Sequence, residues 1–168
     1  MRNSLFGAGP RSCGSEVKRA ILIALALLGA LTGCTRQAQI AARGAQVMSF
    51  DLEQTMHVFQ RLDDGGRQTV TAKDRSNEKQ IALIQAHLQM EAEKFRRGDF
   101  SDPAGIHGDE MPGLAELKSG FGEIDIEYKA LPDGGEIRYA TANRSLVMAL
   151  HHWFRAQVSD HGRHAMDH

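Results

Sequence analysis

Imidazole side chains carry most of the coordination chemistry open to this 168-residue sequence, which has eight of them. In the stretch Ile106-His107-Gly108-Asp109-Glu110-Met111-Pro112-Gly113, an imidazole and a thioether stand within five residues, with two carboxylates between them. Imidazole with thioether suits copper, above all Cu(I), whereas imidazole with carboxylate suits zinc. The glycine and proline flanks let the backbone bend both side chains onto one ion. Five more histidines (His151, His152, His161, His164, His168) fall in the last eighteen residues. On a helix continued through Gly162, His161, His164 and His168 stand at i, i+3 and i+7 on one face, with Asp160 beside His164. Three imidazoles and a carboxylate are a zinc or copper set. His151 and His161 lie ~15 Å apart along such a helix at ~1.5 Å per residue, so each needs partners from elsewhere, such as His107 and Met111. The metal set these residues point to is therefore His107, Met111, His151, His161, His164 and His168. The plainer reading has Met111 in the core, His107 capping a turn and a tail that holds metal without a defined task. His57, His87 and His151 are then hydrogen-bonded histidines at the core's edge.

Motifs for catalysis are absent. There is no Gly-x-Ser-x-Gly, no glycine-rich phosphate loop and no His-Glu-x-x-His. The adjacent acids Asp63-Asp64 and Asp109-Glu110 sit in glycine-rich turns, where carboxylates are normally solvated. These features lean away from an enzyme.

The elements that must position these side chains follow from periodicity. Phe50, Leu52, Met56 and Val58 share one parity, Asp64-Gly65-Gly66 marks a turn, and Gln68 to Ala72 reads as the return strand. Asn77 to Arg97 reads as a helix with the stripe Ile81, Ile84, Leu88, Ala92 and Phe95, stopped by Gly98. Residues 99–122 read as a long loop with one short helical piece at Leu114 to Lys118. Ile124, Ile126 and Tyr128 alternate with charged residues, Asp133-Gly134-Gly135 turns, and Ile137 to Thr141 returns. Asn143 then caps a helix from Arg144 to His161, with Val147, Leu150, Phe154 and Val158 inward. Two ββα units result, and the expected architecture is α+β: a four-stranded antiparallel sheet with two helices on one face.

Leu31-Thr32-Gly33-Cys34 closes an apolar run of twelve residues from Ala20 to Leu31, shorter than the ~20 a spanning helix needs. Arg11, Lys18 and Arg19 precede it. This pattern resembles a bacterial lipoprotein signal. The resemblance implies cleavage of residues 1–33, diacylglycerol on the Cys34 sulfur and a further acyl chain such as palmitate on its amino group. Several chains at ~0.8 kcal/mol per buried methylene make a stable membrane anchor. Thr35 in place of Asp implies the outer membrane, facing the periplasm. From Met48 to Ala165 the chain also resembles small bacterial proteins that sometimes carry the label aspartate carbamoyltransferase. The shared stretches are Met48-Ser49-Phe50-Asp51-Leu52-Glu53, Arg96-Arg97-Gly98-Asp99-Phe100-Ser101-Asp102-Pro103, His107-Gly108, Met111-Pro112-Gly113, Trp153-Phe154 and Asp160-His161-Gly162. The true transferases are much larger and use a Ser-Thr-Arg-Thr loop that does not occur here, so the resemblance carries over no catalytic residue.

With residues 1–33 removed, 135 of the 168 remain. Four of the 20 basic residues (Arg2, Arg11, Lys18, Arg19) and one of the 21 acidic (Glu16) leave with them, for a net charge of −4. A mildly acidic domain without a basic patch argues against nucleic acid. Cys13 departs and Cys34 takes lipid, so packing alone must hold the fold. The expected layout is a lipidated flexible tether at 34–47, one α+β domain at 48–161 and a histidine-rich tail at 162–168. The expected function is a lipid-anchored cell-envelope protein that binds copper or zinc. The alternative is a module that docks another envelope protein without metal, and a small hydrolase or transferase is the weaker third reading.

Overall fold

The computed structural model describes residues 36–167, so the expected signal peptide, Cys34 and His168 lie outside the described residues. Helix α1 spans residues 36–47. Strands β1 (Thr55–Leu62) and β2 (Gly65–Ala72) form the first hairpin, followed by α2 (Glu78–Arg96). Two short helices, α3 (Ser101–His107) and α4 (Leu114–Gly120), lead to the second hairpin, β3 (Asp125–Leu131) and β4 (Gly134–Ala140). The chain ends with α5 (Arg144–His161) and a short strand β5 (Ala165–Asp167). Among the described residues, no helix is long and apolar enough to cross a membrane.

Both long helices begin at asparagines whose side chains accept a backbone N–H of the first turn. Asn77 Oδ1 takes that of Gln80 at 3.1 Å, and Asn143 Oδ1 takes that of Ser145 at 3.0 Å. The two ββα units are joined through their inner strands, β2 and β4, which pair antiparallel. The Ala72 N–H donates to Asp133 O at 2.8 Å, and the Thr141 N–H donates to Asp64 O at 2.9 Å. These two bonds occupy equivalent positions, and they give the central sheet an internal two-fold relation. The helices cross over: α2 packs on β3 and β4 of the second unit, and α5 on β1 and β2 of the first.

The inward face of the sheet carries His57, Phe59, Val70, Ile137 and Tyr139, all buried. Phe154 of α5 packs on Phe59 with ring centroids 5.3 Å apart, and Trp153 stands edge-on to Tyr139 at 5.9 Å. The glycine after each hairpin turn makes room for these helices. A Cβ on Gly66 would fall 2.3 Å from Phe154 Cε2, and one on Gly135 would fall 3.0 Å from Leu88 Cδ1.

The α+β class matches the reading of the sequence, and the sheet departs from it. Five strands in the order β3-β4-β2-β1-β5 make it mixed rather than antiparallel. The fifth strand comes from the expected tail. At Gly162 the chain reverses in a left-handed conformation (φ 55°), which lets Ala165–Asp167 pair parallel to β1 with His57 opposite Ala165. The expected tether is likewise structured over 36–47. Ala38, Ala41, Ala42 and Ala45 favour helix, and Ile40, 3% exposed, anchors it to the domain. The long loop hides α3, because Asp102-Pro103-Ala104-Gly105 reads as a breaker. In the structure Pro103 falls in the first turn, where its missing N–H costs nothing.

Candidate functional site

Three elements end or pass at one place below the sheet. His57 is the third residue of β1, His107 is the last residue of α3 and His161 is the last residue of α5. The His161 ring is 5.0 Å from the His57 ring, stacked at 28°, and 5.0 Å from the His107 ring, edge-on at 76°. His57 is 3% exposed, and neither of its ring nitrogens has a hydrogen-bond partner. A buried imidazole left so bare gives up stabilisation that a bound ligand or water would restore.

Asp160 organises the opposite side. Its Oδ2 lies 2.9 Å from His107 Nδ1, while Arg36 of α1 donates to it through Nε at 2.9 Å and Nη2 at 3.1 Å. Burial pushes the Asp160 carboxyl up, but the hydrogen bonds from Arg36 and His107 outweigh it and hold the group below the usual carboxylate range. With Nδ1–H of His107 donating to this carboxylate, Nε2 carries the free lone pair. Burial depresses all three imidazoles. His161 falls to about 3, with His107 adding to the effect of burial, and His57 falls well below 6.5 with the other imidazoles adding. His107 is lowered by burial against the pull of Asp160. Around pH 7 the three rings are neutral, the form that ligates metals.

The rings face an interior cavity of about 50 Å³, also lined by Phe50, His87, Glu91, Asp102 and Trp153. Its far end is acidic. Burial pushes Glu91 up to about 8, with the hydrogen bond and charge of Asp102 adding and Lys94 opposing. Lys94 Nζ bonds Asp102 Oδ2 at 2.5 Å. It lies 3.5 Å from Glu91 Oε1, close enough for charge attraction yet without a hydrogen bond to that oxygen. His87 stands edge-on to Phe50 at 5.4 Å, and burial lowers it to about 4.

The expected metal residues divide. His107 and His161 come together. Met111 is 6% exposed and joins the hydrophobic core. With His107, Arg36 and Asp160 it also borders a groove on the outer side. His164 does not continue a helical face with His161, because α5 ends at Gly162. Its Nε2 lies 3.1 Å from Glu53 Oε1. His151 turns to the first hairpin instead, where its Nε2 lies 3.0 Å from Leu62 O and 2.9 Å from Gly65 O. His168 is outside the described residues. Among the described residues, no three His, Cys, Asp or Glu side chains converge as a ready-made metal site.

His57, His87 and Glu91 were missed as site residues. On α2, His87 and Glu91 follow Ile84 and Leu88 by three, so helical spacing places them on the buried face. His57 was concealed by strand parity: Met56 and Val58 are the more apolar set, yet Thr55, His57 and Phe59 point inward. Compared with protein-family models, with curated proteins and with solved structures, the chain matches none.

Proposed function

We propose that this chain is a lipid-anchored protein of the bacterial cell envelope that binds one transition-metal ion, copper or zinc, between His57, His107 and His161. The observation that carries the reading is the His161 ring, 5.0 Å from each of the other two rings at the wall of one cavity. Neutral, buried imidazoles are good ligands for both metals, and binding would require the stacked His57 and His161 rings to turn so that their lone pairs meet that of His107. Asp160 supports the reading because metal-ligating histidines usually donate their second N–H to a carboxylate that fixes tautomer and ring orientation. Cys34 is the lipid site in this reading, two positions before α1.

A second reading, docking to another envelope protein without metal, is favoured by the outward row Met56, Val58 and Met166 on the uncovered sheet face, where Met166 is 43% exposed.

Metal content and affinity of the full chain in detergent micelles, made without an added histidine tag, separate the two. The expected result is one tightly held copper or zinc per chain. His107→Ala and His57→Phe should each weaken it at least about tenfold, the scale set by loss of a ligand or its support. His151→Ala should leave it unchanged. Absence of stoichiometric metal from the folded chain rejects the metal reading and leaves docking.

A further inference from the structure

The cavity has a second end that no metal ligand explains. Trp153 is fully buried and packs against four rings: Phe95, Phe100 and Tyr139 edge-on, with Phe154 tilted at 5.7 Å. Its Nε1–H has no hydrogen-bond partner, and neither has Oε1 of Glu91, which is 5% exposed. Buried indole N–H groups ordinarily find an acceptor, and the Glu91 oxygen has only the Lys94 ammonium at 3.5 Å and no hydrogen bond. Both residues line the same cavity as His57. Two residues from different helices, one a donor and one an acceptor, thus lack a hydrogen bond around one space.

We propose that this cavity binds a small uncharged molecule carrying both a hydrogen-bond donor and an acceptor, with Trp153 Nε1 donating to it and Glu91 Oε1 accepting from it. The size follows from the volume: about 50 Å³ at ~10–15 Å³ per water-sized position admits only a few heavy atoms. The lack of charge follows from the surroundings. Lys94 is matched by Asp102 at 2.5 Å, and burial beside the Asp102 carboxylate favours the neutral form of Glu91, so the acidic end has no spare charge to neutralise an ion. A buried ion without a partner is far costlier than a neutral group whose hydrogen bonds are met. Primary amides have the required pairing of N–H donor and carbonyl acceptor within a few atoms. This binding is independent of the metal proposed at the histidine end.

Trp153 is the chain's single tryptophan, so one indole N–H signal reports on the site directly. The full chain in detergent micelles, stripped of metal with EDTA, would be titrated with acetamide while that signal is followed by NMR. The expected result is a saturable shift of the indole N–H. Glu91→Gln, which keeps an acceptor there, should retain it, and Glu91→Leu should weaken the affinity at least about tenfold. His57→Phe, which fills the space from the strand side, should abolish it. A shift that never saturates in the wild-type chain overturns the proposal, as does unchanged affinity in folded Glu91→Leu. Saturation that appears only after zinc is added also overturns it, by assigning the molecule to the metal. Saturation in the metal-stripped chain supports this site and leaves the metal reading to the metal-content measurement.

Discussion

Asp160 is the residue on which the histidine end depends. It holds His107 on one side and Arg36 on the other, so one carboxylate links the orientation of an imidazole to the docking of α1. Arg36 is 60% exposed at its side chain, and solvent screens its half of the pair. The His107 bond is buried, and its effect is directional: it fixes which ring nitrogen is free. Asp160→Asn keeps the shape but offers a neutral amide, which favours neither tautomer as strongly. The expected outcome is metal affinity lower by about 10- to 100-fold with the fold retained, read by competition with a chromophoric chelator. Affinity equal to wild type would show that the His107–Asp160 bond serves packing alone.

At the scale of elements, the repeated Asp-Gly-Gly turns do two jobs. The first glycine lets the neighbouring strand approach: a Cβ on Gly65 would lie 2.2 Å from Tyr139 O, and one on Gly134 would lie 2.0 Å from Val70 O. The second admits the helix of the other unit. The two second glycines differ in what they face. Gly66 abuts the buried Phe154 ring, which has nowhere to go, whereas Gly135 abuts the tip of Leu88. Gly66→Ala should therefore cost about 1–3 kcal/mol of overpacking strain, and Gly135→Ala less, as measured by chemical denaturation. Equal costs would contradict the crossed packing. The hairpins, both capped helices and the duplicated order were legible because each rests on local rules of turn, cap and period. Strand β5 and helix α1 were not, since β5 exists only by pairing with β1 and α1 is held by Ile40, Arg36 and Arg43 reaching distant partners. For the site, His107 stood out beside Met111 and two carboxylates, and His161 stood out for its helical spacing with His164 and His168. His57 did not, because a one-residue choice of parity exchanges the two faces of a strand.

Over the whole molecule, a nearly two-fold ββα pair supplies the core, and the parts that break its symmetry supply the site. Helices α1 and α3 and the end of α5 meet there, and the result is an interior with buried titratable groups at both ends of one cavity. Stability must then depend on pH in two opposed ways. His87, at about 4 in the fold, stays neutral where an unfolded imidazole near 6.5 takes a proton, so stability falls as pH drops from 6.5 toward 4. His57 and His161 act in the same direction. Glu91 acts oppositely. Facing Asp102, Lys94 and Tyr139, it holds a proton up to about 8 that the unfolded chain releases near 4.5, so its contribution is complete below 4.5 and is lost as pH rises through 8. Between 4.5 and 6.5 several imidazoles outweigh one carboxyl, and above 6.5 the carboxyl acts alone. The metal-free chain should therefore melt highest near pH 6.5, losing about 1 kcal/mol per pH unit on the alkaline side, the linkage of one proton. Glu91→Gln cannot release that proton. It should flatten the decline between pH 6.5 and 8 while leaving the acid limb in place, and an alkaline limb of unchanged slope in that variant would assign the lost proton to another group.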